Sequence, residues 1–79
     1  MNLSAIIDID PEILHGTPVF KGTRVPVESL FWHLEDGITI DGFLEDFPNV
    51  TKEQCNAIIE MAAEIVGSKK LVELYENAA

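Results

Sequence analysis

The spacing of apolar residues changes at Pro26, and this change limits the fold more than any other feature of the sequence. From Pro26 onward, apolar side chains recur every three or four residues, which is the period of an amphipathic helix. Three such stripes follow one another: Val27, Leu30, Phe31 and Leu34; Ile40, Phe43, Leu44 and Phe47; Cys55, Ile58, Ile59, Ala62, Ile65 and Val66. This pattern predicts three helices packed around a shared apolar core.

Helix start and stop signals bracket the stripes. Pro26 fits the first helical position of the first helix, and Gly37 stands where a helix-terminating residue is expected. Thr39 is predicted to cap the second helix with its hydroxyl. Thr51 and Gln54 have the spacing of a capping box at the start of the third helix. The residues between these signals therefore form short helices with defined ends.

The second and third helices are separated only by Pro48-Asn49-Val50. Two helices joined by a turn of three or four residues, with a preceding helix to close the core, follow the helix-turn-helix plan. Small helical domains without DNA-binding activity use the same arrangement, so the plan alone is weak support for DNA binding.

The first 25 residues have β character and differ from the rest of the chain. Residues 5–10 and 18–20 read as two short strands. The segment 21–23 (KGT) reads as a tight turn in which Gly22 takes a positive φ. We therefore expect a β arm or hairpin over residues 1–25 that leads into the three-helix core over residues 26–66.

The C-terminal residues continue the helical pattern with an interruption. Gly67 and Ser68 break the third stripe, and Leu71, Leu74 and Tyr75 resume it out of phase. Either a bend or a new short helix begins near Ser68. The sequence thus predicts one mainly α domain over residues 1–79, with a helical tail over residues 67–79.

The composition constrains the cellular setting and the partner. Fourteen acidic residues face five basic ones, a net charge of −9. DNA-binding proteins normally gather Lys and Arg, so the acidic balance favours a basic protein partner or simple solubility.

One cysteine excludes a disulfide within the chain and suits a reducing cytoplasm. No apolar run has the length of about 18 residues that a membrane span requires. We expect a cytoplasmic protein without membrane association.

No motif predicts a cofactor, a metal or a catalytic site. The stretch HGTPVFKGTR places lysine and glycine in the wrong order for a phosphate-binding loop. The acids near Asp8 lack the spacing of a calcium loop, and His15, His33 and Cys55 are too few and too scattered for a structural zinc site. Cys55 lies on the inner stripe of the third helix, where a buried apolar role is expected. The chain is therefore predicted not to be an enzyme.

Five residues are candidates for contacting a partner or DNA. Trp32 lies off the core stripe of the first helix, near Glu28 and Glu35, so it either packs beneath the arm or anchors an interface. Lys52 and Asn56 lie on the outer face of the third helix and could reach bases or phosphates. Lys21 and Arg24 lie in the turn. The candidate set is Lys21, Arg24, Trp32, Lys52 and Asn56.

Two segments resemble a known family. PEILHGTPVFKGTRVPV looks like the signature of a bacterial and archaeal family of short proteins of unknown function. EDGITIDGFLEDFPNVTKEQCNAII is similar to the second half of that family, although Phe47-Pro48 replaces the more usual Tyr-Pro. The family is regarded as antitoxin-like, with a helix-turn-helix-type domain.

The resemblance implies a partner. Genes of this family are often paired with a PIN-like toxin, a Mg-dependent ribonuclease. The chain would then be an antitoxin that neutralises the nuclease and could also bind its operator. We expect a homodimer because a domain of 79 residues has little stability of its own. The alternatives are a stand-alone transcription regulator that acts through the third helix, and a protein-interaction module with neither role.

Overall fold

The computed structural model describes residues 2–78, so Met1 and Ala79, the ends of the predicted arm and tail, lie outside the described residues. Its elements are β1 (Ile7–Asp8), β2 (Val19–Phe20), α1 (Glu28–Glu35), α2 (Ile40–Asp46), α3 (Lys52–Val66) and α4 (Lys69–Ala78), with 3-10 turns at Leu3–Ala5 and Leu14–Gly16. The predicted mainly α fold, with a β hairpin first and a helical tail last, is confirmed. Within the described residues, no helix has both the length and the apolarity needed to cross a membrane.

The two strands form a small antiparallel hairpin. Ile7 lies opposite Phe20, and Asp8 lies opposite Val19. Both strands are shorter than predicted. The start of β1 is shortened because a 3-10 turn capped by Asn2 takes up the residues before it. The hairpin carries Val19 and Phe20 into the interior, where neither is exposed.

The start of α1 differs from the prediction. Pro26 is not the first helical residue but forms a bridge with Val19. The N–H of Phe20 donates to Val25 O, and the N–H of Val27 donates to Pro18 O, both at 3.0 Å. These two bonds hold residues 25–27 against β2, so the helix begins only at Glu28.

The predicted helix ends and caps are confirmed. Gly37, just after α1, has a φ of +80°. Thr39 accepts a hydrogen bond from the N–H of Gly42 at the start of α2. At the start of α3, Thr51 Oγ1 accepts from Gln54 N at 3.1 Å, and Gln54 Oε1 accepts from Thr51 N at 2.9 Å. Local hydrogen bonds thus fix where α2 and α3 begin.

The core lies where α1, α2, α3 and the hairpin meet. Its buried members are Phe20, Leu30, Phe43, Val50, Cys55 and Ile58. The predicted stripes extend further than this core: Leu34 is 36% exposed, and Ile65 and Val66 are 53% and 63% exposed. Met61 is the last α3 residue that packs against the core, and Ile65 and Val66 in the final turn of α3 are more than half exposed.

The tail is a separate helix. Of the two possibilities at Ser68, a bend or a new helix, the second is correct, because α3 ends at Val66 and α4 begins at Lys69. No residue of α4 is buried, and Leu71, Leu74 and Tyr75 are 41–75% exposed. The apolar face of α4 is therefore largely exposed when residues 2–78 are taken alone.

Candidate partner-binding site

The turn at Lys21–Arg24 is held to the hairpin by one carboxylate. Asp8 Oδ2 accepts from the N–H of Gly22 at 3.0 Å, and Asp8 Oδ1 lies 3.2 Å from Lys21 Nζ. The Gly22 N–H first, and then Lys21, hold the pKa of Asp8 below its ordinary value. Gly22 has the predicted positive φ, +76°. Lys21 thus forms an ion pair with Asp8 beside the turn.

A second contact joins the turn to the start of α3. Gln54 Nε2 donates to Lys21 O at 3.1 Å, while the same amide closes the capping box with Thr51. This link spans 33 residues of sequence. The turn at Lys21–Arg24 and the start of α3 are therefore linked directly by the side chain of Gln54.

The predicted DNA-facing side chains are only partly available. Lys52 Nζ lies 3.7 Å from Asp41 Oδ1, and Asn56 is exposed one turn further along α3. Arg24 is exposed and takes part in none of the three ion pairs found among residues 2–78. The structure brings Lys21 close to the start of α3. Lys21 is paired with the carboxylate of Asp8, however, and Lys52 with that of Asp41.

Trp32 lies apart from this turn, on the outer face of α1. Trp32 is 53% exposed, so about half of its surface is accessible to solvent. Glu28 precedes it by four residues, and Glu35 and Asp36 follow it by three and four, which places all three on the same side of the helix. All three acids are exposed, and none belongs to an ion pair between described residues. We call Glu28, Trp32, Glu35 and Asp36 the α1 outer face.

Two of these acids stand at the unfavourable end of the helix. Glu35 is the last residue of α1, and Asp36 is its C-cap. The C-terminal end of a helix carries the negative pole of the macrodipole, so acids there lower its stability. Trp32 is thus exposed on a helix face that also carries Glu28, Glu35 and Asp36, and the last two of these acids do not stabilise the helix through its macrodipole.

His33 holds α1 in position and was not singled out by the sequence. Its Nδ1 lies 2.7 Å from Ser29 O, and its Nε2 lies 3.3 Å from Asp46 Oδ2. The ring also packs edge-on against Phe43, with centroids 5.1 Å apart. Since the contact with Asp46 depends on how α1 and α2 pack, no sequence spacing could have revealed it.

Cys55 has the buried role that the sequence predicts. It is fully buried in the core, and burial raises the pKa of its thiol. A protonated, enclosed thiol is a poor nucleophile. Among residues 2–78, no three His, Cys, Asp or Glu side chains converge as a set of metal ligands.

The matched family covers the hairpin, the turn, α1, α2 and most of α3. Residues 7–62 match a family described as "Protein of unknown function (DUF433)". This chain belongs to the DUF433 family. The DUF433 match includes the turn at Lys21–Arg24 and the whole α1 outer face, so both candidate surfaces belong to the family region of the chain.

Two relatives give further comparisons. The uncharacterized protein y4eO of Sinorhizobium fredii (strain NBRC 101917 / NGR234) is 39% identical over 49 residues, which are 62% of this chain and 22% of that protein. The chain therefore spans about a fifth of the length of this curated relative. A crystal structure of a DUF433 member from Anabaena variabilis ATCC 29413 has a TM-score of 0.66 at 22% identity, covering 92% of this chain and 69% of that one. That likeness shows a common DUF433 fold.

Proposed function

We propose that this chain is a non-enzymatic, antitoxin-like protein that binds and neutralises a basic nuclease of the PIN-like class through the α1 outer face. The observation that carries the proposal is the half-exposed Trp32 framed by Glu28, Glu35 and Asp36. An indole face attracts Arg and Lys, and the surrounding carboxylates pair with the same cations. Such a surface is suited to the basic side chains with which a nuclease binds RNA.

The charge of the whole chain acts in the same direction. A net charge of −9 attracts a basic partner from a distance and increases the association rate more than the final affinity. The tryptophan supplies a rigid apolar anchor of the kind that dominates binding energy at interfaces. Charge would thus bring the partner in, and Trp32 would hold it.

The alternative of DNA binding has less support. Lys21 and Lys52, two of the candidate phosphate contacts, are paired with Asp8 and Asp41. Glu53 is also exposed on α3, where it would repel a phosphate backbone. A gel shift with the chain's own promoter, titrated with salt, tests this alternative separately.

The deciding experiment is co-expression with the product of the adjacent open reading frame. We expect the two proteins to co-purify, the chain to relieve any toxicity, and the association rate to fall as salt is raised. Trp32→Ala should weaken the complex by about 2 kcal/mol, or roughly 30-fold in Kd. The proposal fails if no complex forms, or if Trp32→Ala binds as the native chain does.

A matched pair of charge reversals separates a specific face from general acidity. Glu35→Lys and Glu64→Lys change the net charge equally, and each alters an exposed acid in the last turn of a helix. Only Glu35 belongs to the α1 outer face. We expect Glu35→Lys to slow association strongly and Glu64→Lys to have a small effect. Equal effects from the two variants would show that net charge alone governs binding.

A further inference from the structure

Between the hairpin, α1 and α3 lies an open apolar groove of about 230 Å³. Its apolar lining comes from Ile7, Pro18, Val27, Phe31, Ile58 and Met61. A cavity of about 150 Å³ already holds a benzene-sized molecule, so this groove has room for one or two large apolar side chains. No residue of α4 lines it.

The same chain carries an apolar helix face that lacks a partner. Leu71, Leu74 and Tyr75 recur at the spacing of one helix face, and all three are exposed. An isolated helix of ten residues is marginal in water unless its apolar face is covered. The chain thus presents both an empty apolar groove and an uncovered apolar helix.

Charge is distributed to match these two surfaces. Residues 1–66 carry twelve acidic and three basic side chains, whereas residues 67–79 carry two of each. The basic pair, Lys69 and Lys70, stands at the start of α4. The acid Glu28 lines the groove. A docked α4 would therefore bring the neutral tail, with its two lysines, against an acidic body.

Local hydrogen bonds fix the joint between α3 and α4 in an arrangement that leaves α4 away from the groove of its own chain. The N–H of Gly67 donates to Ala63 O at 3.0 Å, and Ser68 Oγ donates to Ile65 O at 2.7 Å. The N–H of Leu71 donates to Ser68 O at 3.2 Å. Folding α4 back onto Met61 would require these bonds to break. A second copy can place its α4 in the groove without disturbing them.

We propose that the groove is the docking site for α4 of a second copy of this chain, in a reciprocal homodimer. Each α4 lays the face of Leu71, Leu74 and Tyr75 against the partner's groove and inserts Leu74 into it, so every contact occurs twice. This doubling lets a ten-residue helix approach the roughly 1,200–2,000 Å² that specific interfaces bury. The proposal does not depend on the nuclease partner.

Sedimentation equilibrium of the full chain tests the assembly. We expect the native chain to have twice the chain mass and Leu74→Asp to have the mass of a single chain. Asn77→Asp adds the same charge outside the apolar face of α4 and should remain dimeric. A native chain that stays monomeric at about 100 µM, or a dimeric Leu74→Asp, would overturn the proposal.

Mixing two variants tests whether α4 meets the groove. Met61→Glu places a charge in the groove and leaves α4 intact. Leu74→Asp places a charge on the apolar face of α4 and leaves the groove intact. Each alone should be monomeric, and their mixture should recover a weakened dimer with one intact contact of the two. A mixture that remains monomeric would overturn the proposal, since α4 would then not bind the groove. If Met61→Glu fails to fold by circular dichroism, Pro18→Glu, at an exposed groove position, replaces it.

Discussion

At the scale of single residues, the turn at Lys21–Arg24 is held by three residues, Gly22, Asp8 and Gln54. Gly22 supplies a backbone conformation with φ of +76°, and its N–H donates to the carboxylate of Asp8. Gln54 then binds the carbonyl of Lys21 from α3. The KGTR segment is therefore a structural corner that joins the hairpin to the third helix.

Substitution of Gly22 tests this corner. A Cβ at Gly22 would meet no atom within 4 Å, so the cost of Gly22→Val comes from the positive φ alone. We expect the free energy of unfolding to fall by about 1–2 kcal/mol or more, since β-branched residues tolerate this region least. Gly67→Ala, at an ordinary φ of −89°, is the control and should be neutral or slightly stabilising. Equal urea midpoints for the two variants would contradict the assignment.

Asp8 should make stability depend on acid pH. Its folded pKa lies below the unfolded value, so its contribution is fully present above the unfolded pKa and is lost as pH falls through the folded pKa. Asp8→Asn should therefore lower Tm at pH 7, and the difference from the native chain should shrink as the pH falls below about 4. Asp10→Asn changes the net charge equally without touching the turn and is the control. A difference in Tm that persists unchanged in acid would contradict the role of the Asp8 charge.

At the scale of secondary-structure elements, features that depend on neighbouring residues could be predicted from the sequence. Features that depend on contacts between separate elements could not. Thr39 and Thr51 cap their helices as predicted because a cap depends only on residues three or four positions away. Pro26 was assigned to the helix wrongly because its bridge to Val19 depends on the hairpin folding back. Ile65 has core spacing but is exposed, since spacing fixes a face and not what covers it.

In the candidate site, too, the helix face of a residue could be predicted from spacing, but contacts between separate elements could not. Trp32 and its flanking acids could be placed on one face from spacing alone, and that placement is consistent with the exposed side chains. The ion pairs of Lys21 with Asp8 and of Lys52 with Asp41 could not be foreseen, because each joins separate elements. The apolar groove was equally hidden, since its lining comes from the hairpin, α1 and α3.

The start of α3 gives the element-scale prediction. Thr51→Ala should lower the free energy of unfolding by about 1 kcal/mol, the usual cost of losing an N-cap. Gln54→Ala should cost a similar amount, because it removes the reciprocal bond to Thr51 and the bond to Lys21 O. The double variant should cost less than the sum of the two, since the side chains share the cap. Urea unfolding measures all three, and strict additivity would mean that the capping box does not act as a unit.

At the scale of the whole molecule, the chain carries more negative charge than its fold requires. Twelve of its fourteen acids fall within residues 1–66, with only three basic side chains to balance them. Excess charge of one sign destabilises a compact state through repulsion. Such repulsion in a chain of 79 residues is consistent with a surface selected for a basic partner at some cost in stability.

The excess of negative charge leads to a prediction in which one substitution raises stability and weakens binding to the partner. Glu35 and Glu64 lie in the last turns of α1 and α3, so replacing either with lysine removes an unfavourable charge and adds a favourable one. Each variant should raise the free energy of unfolding by about 0.3–1 kcal/mol at low salt, and the gain should shrink as salt screens it. Thermal unfolding at two salt concentrations measures this directly. If Glu35→Lys stabilises the isolated chain but slows binding to the basic partner, while Glu64→Lys only stabilises it, the acids of α1 serve recognition. A destabilised Glu35→Lys would instead mean that Glu35 supports the fold through contacts of its own.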